Sequence, residues 1–206
     1  MNVHRYFLPV TLLAGLLISQ SALAQNEHDW SLAKDADGIK VYVRNVDGSP
    51  LREFRGEVQI NASPDDVVKV LRNADAYRQW MPDVAVSTLL KATATEQFHY
   101  LDNKAPWPVS NRDGIYHFTY AKSGDGAVTV RVEAVPDYLP LREGKVRIPQ
   151  AKGQWMLVPD AAGVKVTYQM HASPGGSIPS WLANQTVVDT PYGTLKALRS
   201  RVQVVH

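Results

Sequence analysis

From Val84 to His171 nearly every segment repeats with the two-residue alternation of a β-strand, and a helical period takes over only after Pro174-Gly175-Gly176. Beyond that break Ile178, Trp181, Leu182, Val188, Tyr192, Leu195, Leu198 and Val202 fall at three- and four-residue spacing, one apolar stripe interrupted by Gln185. This imbalance restricts the fold. About eight or nine strands at ~4.8 Å spacing make a sheet roughly 40 Å wide. A helix of ~25 residues is ~37 Å long but only ~10–12 Å across. One helix cannot cover the apolar face of a flat sheet that wide, so the sheet must curl around it. The space left over is either filled by large side chains or remains an apolar hollow. Phe118, Tyr120, Trp155 and Tyr168 are bulky enough to fill it, while a hollow of several hundred Å³ is the normal size of a small-molecule site.

The expected strands are read from alternation. Ile39, Val41 and Val43 alternate with Lys40, Tyr42 and Arg44, and Phe54, Gly56, Val58 and Ile60 alternate with Arg55, Glu57 and Gln59, with Asp47-Gly48-Ser49-Pro50 as the turn between. Later strands are expected at 84–91, 97–101, 115–120, 128–134, 146–148, 154–158 and 164–171, joined as a consecutive antiparallel meander with hairpin turns at Gly124-Asp125-Gly126 and 160–163. Trp30 to Lys34 is expected to form a helical turn ahead of Asp37-Gly38. Ser63-Pro64-Asp65-Asp66 reads as a helix start: a capping hydroxyl, a proline suited to the first turn, and acids suited to the helix dipole. A short helix through Val67, Val70 and Leu71 and a second short piece carrying Tyr77 and Trp80 follow. Pro191 stands inside the terminal stripe, where it removes a backbone hydrogen bond and predicts a kink. Together with the Ser173–Ser177 turn it is expected to let the terminal helix open.

The first residues read as a targeting segment. Arg5 supplies a positive start, Leu8 to Ile18 an apolar run, and Ala22-Leu23-Ala24 a small-x-small cleavage site, so residues 1–24 are expected to be a signal peptide and 25–206 the folded domain. The run is short for a membrane span of roughly 20 residues; an uncleaved N-terminal anchor is the other reading. The expected location is the periplasm or outside the cell. The chain holds no cysteine, which excludes a disulfide framework, thiol catalysis, thiolate metal sites and a lipid anchor on a cysteine. Removing 24 from 206 residues leaves 182, enough for a single domain held by one core. The net charge of +2 becomes +1 without Arg5, and no Lys/Arg run is long enough for a nucleic-acid footprint. Lys196, Arg199 and Arg201 suit the last turns of a helix.

The run Pro106-Trp107-Pro108-Val109-Ser110-Asn111-Arg112-Asp113 leads into the aromatic strand Gly114-Ile115-Tyr116-His117-Phe118-Thr119-Tyr120. The prolines stiffen the chain around Trp107. Arg112 and Asp113, adjacent at the start of a strand, must point to opposite faces, and whichever points inward needs a partner.

This run, with Pro136-Asp137-Tyr138-Leu139-Pro140, Ile178-Pro179-Ser180-Trp181-Leu182-Ala183-Asn184-Gln185, Pro191 and Leu195-Lys196-Ala197-Leu198-Arg199, resembles the START lipid-transfer domain family. The opening Asp37-Gly38-Ile39-Lys40-Val41-Tyr42 strand fits as well, so the resemblance covers nearly the whole chain after the leader. It implies an α+β helix-grip fold: a curved antiparallel sheet wrapped around a long C-terminal helix, with two short helices after the second or third strand. It implies a monomer that binds one lipid or other hydrophobic ligand in an internal tunnel, with no cofactor and with transient membrane contact. By the match, Arg112 and Asp113 are the family's charge pair at a strand start, read as structural. Trp181, Asn184 and Tyr192 lie on the helix that acts as a lid. Trp107, Arg112, Phe118, Tyr120, Trp155 and Tyr168 complete the residues expected at the cavity or lid. Sterol-carrying members have a buried arginine six residues after the arginine of this motif; here that position is Phe118, which departs from sterol recognition by that arginine.

No nucleophile elbow, zinc-binding helix motif or phosphate-binding glycine loop is present, and His99, His117 and His171 lack ligand spacing, so the chain is not expected to be an enzyme or to hold a metal. Two other readings stay open. The related fold hosts aromatase/cyclases, which steer reactive chains in a cavity, and a filled core would instead suit an envelope interaction module.

Overall fold

The computed structural model describes residues 29–105, 107 and 109–204, excluding the side chains of Ser180, Trp181, Leu182 and Gln185. The expected signal peptide, 1–24, lies outside the described residues. Ten strands form one open sheet: β1 Ser31–Ala36, β2 Ile39–Val46, β3 Ser49–Ile60, β4 Val84–Ala92, β5 Glu96–Asn103, β6 Arg112–Lys122, β7 Val128–Ala134, β8 Val146–Arg147, β9 Gln150–Asp160 and β10 Gly163–Ser173. Helices α1 (Pro64–Arg72) and α2 (Tyr77–Trp80) sit between β3 and β4, and α3 (Ser180–Val204) follows the last strand. This is the expected α+β helix-grip arrangement.

Two expectations are corrected. The segment Trp30 to Lys34 is not a helical turn, because Ser31–Ala36 forms β1. Asp37 and Gly38 both adopt positive φ, 54° and 70°, and Ala36 pairs directly with Ile39. That two-residue hairpin twist forces extended chain on both sides. The strands from Val84 on follow the expected antiparallel meander except at β8, within a sheet of order β1-β2-β3-β10-β9-β7-β6-β5-β4. The α1–α2 segment carries the chain from β3 to the far edge, so β3 is left to pair with the last strand, β10. Finally, the 146–148 segment does not continue the antiparallel pattern. β8 runs parallel to the start of β6, Arg112 opposite Val146 and Asp113 opposite Arg147, in the place that β7 leaves empty because its pairing with β6 begins only at Tyr116.

Local chemistry sets the helix ends. Ser63 caps α1: its Oγ accepts from the Asp66 backbone N–H at 3.2 Å, and Asp66 Oδ2 accepts from the Ser63 N–H at 3.2 Å, a reciprocal capping box. The α1 stripe Val67, Val70 and Leu71 is buried. Helix α3 runs unbroken through Pro191. Its C-terminal half buries Leu195, Leu198 and Val202 completely, and it rests on β2 and β3. At Gly56 on β3 the seat is so close that an added Cβ would stand 2.6 Å from Leu195 Cδ1 and 3.6 Å from Pro191 Cβ. Gly56 therefore sets the depth at which the helix docks. The helix covers the β2–β3 side of the curved sheet and leaves the inner face of β5, β6, β7 and β9 to be covered by something else.

Candidate functional site

The uncovered face borders a cavity of about 350 Å³, within the usual range for small-molecule sites. Its walls come from alternate positions of the strands: Leu101 on β5, Arg112, Tyr116 and Phe118 on β6, Trp155 on β9, and Tyr168 and Met170 on β10. The parity is that of a pleated strand, with every second residue on the concave face. Helix α3 supplies the opposite wall through Ala183, Thr186, Val187, Thr190 and Thr194. Met81 and Pro82, just after α2, close one side.

Aromatic packing fixes the wall. Trp155 and Tyr168 stack with centroids 3.8 Å apart and rings 3° from parallel, and Phe54 meets Tyr168 edge-on at 4.9 Å. Phe118 stacks on His99 at 4.1 Å. Burial raises the Tyr116 and Tyr168 hydroxyls well above the ordinary phenol range, so they remain neutral hydrogen-bonding groups in the wall.

The residues expected at the site divide by position. Arg112, Phe118, Trp155 and Tyr168 share the cavity wall. Asn184 is placed at its rim, where its Oδ1 accepts from the Arg52 N–H at 3.1 Å and its Nδ2 donates to the Pro50 carbonyl at 3.3 Å, tying the first turns of α3 to β3. Tyr120 has the parity of Phe118 but stands beyond the cavity, under the end of α1, donating to Gln97 Oε1 at 3.0 Å. Tyr192 does not line the cavity; it is half-buried against the core beside the β1–β2 turn, donating to Asp37 Oδ2 at 2.7 Å. Trp107 is 93% exposed and does not line the cavity, although Ala105 and Val109 do. The Trp181 side chain lies outside the described residues. Strand parity with Phe118 marks Tyr116 as an inward wall residue, and the four-residue spacing of Thr186, Thr190 and Thr194 marks a polar line on the helix face. Threonines carry no apolar periodicity, so that line is silent in a hydrophobic pattern.

Arg112 and Asp113 point to opposite faces of the sheet, as strand alternation requires, and each has its own partners. Successive residues of β6 face opposite ways. Asp113, 1% exposed, is held on the convex side by Arg147, whose Nε and Nη2 donate to its two carboxylate oxygens at 3.0 and 2.9 Å. Arg112, 7% exposed, faces the cavity, donating from Nη1 to the Ser110 carbonyl and from Nη2 to the Gly175 carbonyl at 3.5 Å. Its Nε has no acceptor. Burial lowers its pKa below the ordinary guanidinium value.

Behind Phe118 lies a buried polar network. His99 is fully buried, its Nε2 is 3.1 Å from Gln97 Oε1, and its Nδ1 has no partner. Gln97 Nε2 donates to the Arg72 carbonyl at 3.2 Å. Burial pulls the imidazole from 6.5 down to about 4. The folded protein therefore keeps His99 neutral where the unfolded chain takes up a proton. Stability is fully present above pH 6.5 and falls as the pH drops from about 6.5 towards about 4, by about 3 kcal/mol. Urea unfolding of wild type and His99→Gln at pH 7 and pH 4 measures this. The wild type is expected to lose about 3 kcal/mol more than the variant over that interval, and equal losses would show that His99 does not carry the pH dependence.

A family model described as the START domain matches residues 16–205. Among the relatives, an uncharacterized protein of Pseudomonas aeruginosa is 41% identical over 202 residues, covering 97% of this chain and 98% of its own. Phosphatidylcholine transfer protein of Homo sapiens is 30% identical over 177 residues, covering 81% of this chain and 79% of its own. Among solved structures, a STAR-related lipid transfer protein fragment from Xanthomonas axonopodis is 83% identical, covers 85% of this chain and 99% of its own, and superposes with a TM-score of 0.82. Human StAR-related lipid transfer protein 5, at 16% identity and a TM-score of 0.79 over 88% of this chain and 90% of its own, shares the fold. The matched span, the relatives on both sides and the helix-gripped sheet agree: this chain belongs to the START domain family.

Proposed function

We propose that the protein takes a single lipid into the hollow between α3 and the β5–β9 face and carries it, as a monomer, between membranes of the cell envelope. The carrying observation is the apolar cavity of about 350 Å³ that one helix leaves open on a ten-stranded sheet. A lipid chain in that space exchanges water for apolar wall, at roughly 25 cal/mol per Å² buried. The 30% identity to a phosphatidylcholine transfer protein supports a lipid as cargo. The leader-like residues 1–24 support an extracytoplasmic site of action.

Loading requires the wall to open. The first half of α3 borders the cavity through Ala183, Thr186, Val187 and Thr190, and follows Gly175 and Gly176, both at positive φ, 67° and 62°. This segment is the gate, hinged between those glycines and Pro191.

Native mass spectrometry of the purified full chain is expected to show a bound lipid at one per protein, and the protein is expected to speed lipid movement between vesicles. A disulfide engineered across the Arg52–Asn184 contact is expected to slow that movement at least tenfold until reduced. Absence of both the adduct and the transfer overturns the carrier reading. Transfer as fast with the disulfide closed overturns the gate alone.

A further inference from the structure

Among the described residues, the cavity wall contains one buried ion that the fold leaves without a counter-ion. Arg112 is more than nine-tenths buried. Of the five donors of its guanidinium, two interactions are made, both with neutral carbonyls, of Ser110 and Gly175. Its Nε makes none. The neighbouring carboxylate, Asp113, faces the other side of the sheet and is engaged by Arg147. Among the described residues no carboxylate lies within ion-pairing distance of Arg112. Burying a cation this way is costly unless a matching anion arrives. The rest of the lining has the same sign: Arg52, Lys104 and Arg112 border the cavity against a single acid, Asp83. A second hollow, of about 440 Å³, reaches Arg112 from beside Ser110, Val146 and Gly176, so space exists on both sides of the side chain.

We propose that Arg112 is the head-group anchor of the cavity, taking the oxyanion of an acidic amphiphile, a carboxylate or a phosphate, while the apolar chain runs past Phe118, Trp155 and Tyr168. This rests on the lipid-carrier reading and adds the chemical class of the cargo. The planar fork of a guanidinium fits two oxygens at once, which both head groups offer and an alcohol does not. The neutral carbonyls of Ser110 and Gly175 hold the fork in place without satisfying its charge. The Gly175 contact is also long, and this leaves that nitrogen free to turn to a ligand oxygen.

The test compares matched acid and neutral probes on the full chain by calorimetric titration: palmitate against hexadecanol, and lysophosphatidate against monopalmitoylglycerol. Each favoured acid is expected to bind at least tenfold tighter than its neutral match. Preference for palmitate alone assigns a fatty acid and preference for lysophosphatidate alone a phospholipid, and both together assign the shared oxyanion. Arg112→Met is expected to erase the margin and Arg112→Lys to keep part of it. Palmitate labelled at its carboxyl carbon, titrated by NMR while bound, is expected to stay ionised below the usual carboxylate range. Equal binding of acid and neutral probes by the wild type overturns the anchor and leaves the carrier reading standing. No binding by any of the four overturns both. A carboxyl that titrates at or above its ordinary value when bound also overturns the anchor. If Arg112→Met fails to fold, the wild-type comparison and the carboxyl titration decide.

Discussion

Asp113→Ala is expected to destabilise the protein by about 3–5 kcal/mol, the range for removing one partner of a buried ion pair. The aspartate and Arg147 form a two-pronged pair with side chains 1% and 6% exposed. Arg147 also donates to the carbonyls of Pro136, Leu139 and Pro140. It is therefore the nail that holds the 136–147 segment against the start of β6. Without the carboxylate, a guanidinium stays buried among dipoles that cannot neutralise it. Thermal unfolding is expected to fall by roughly 6–20 °C for a domain of this size. Asp113→Leu combined with Arg147→Met is expected to recover much of the loss, since two apolar groups leave no stranded charge. A single-variant loss below about 1 kcal/mol, measured by urea unfolding, would show that the pair does not organise this edge.

Trp155→Ala is expected to cost about 3–5 kcal/mol, the usual range for deleting a buried aromatic. Trp155 is 2% exposed and stacks on Tyr168. Its removal strips one face of that ring and merges the vacated space with the existing hollow. The loss of stability should therefore come with a change in capacity: bulkier apolar ligands are expected to bind better relative to slender ones. Urea unfolding and a chain-length series of ligands measure the two effects. Unfolding like wild type with the same ligand order would remove Trp155 from the wall.

Much of this architecture could be read from residue order, for definite reasons. Strands with one dry face, such as Ile39, Val41 and Val43 or Val128, Val130 and Val132, carry alternation in the chain itself. The capped start at Ser63 is equally local. β1 is mostly exposed on both faces, so no dry face existed to betray it; only the Asp37-Gly38 twist did. The pairing of β3 with β10 joins residues more than a hundred positions apart, and nothing local encodes it. At the site, that Arg112 and Asp113 part company follows from strand parity, but the identity of Arg147 as the acid's partner depends on β8 lying beside β6. The prolines beside Trp107 stiffen the chain without encoding which way its ring points. Tyr120 obeys the right parity but lies one pleat too far along the strand, beyond the cavity's end.

The helix is seated on β2 and β3, at Gly56, Pro191 and Leu195, while the guest space is bounded by other residues of β3 and α3 together with β5, β6, β9 and β10. Clamp and container are thus written in largely separate residues. Volume-conserving substitutions along Leu101, Tyr116, Phe118 and Met170, which are also core residues, can re-tailor what is carried while the Gly56–Leu195 seat stays as it is. A lineage built on this plan can diversify its cargo by changing a handful of wall positions, one at a time, with the docking seat untouched.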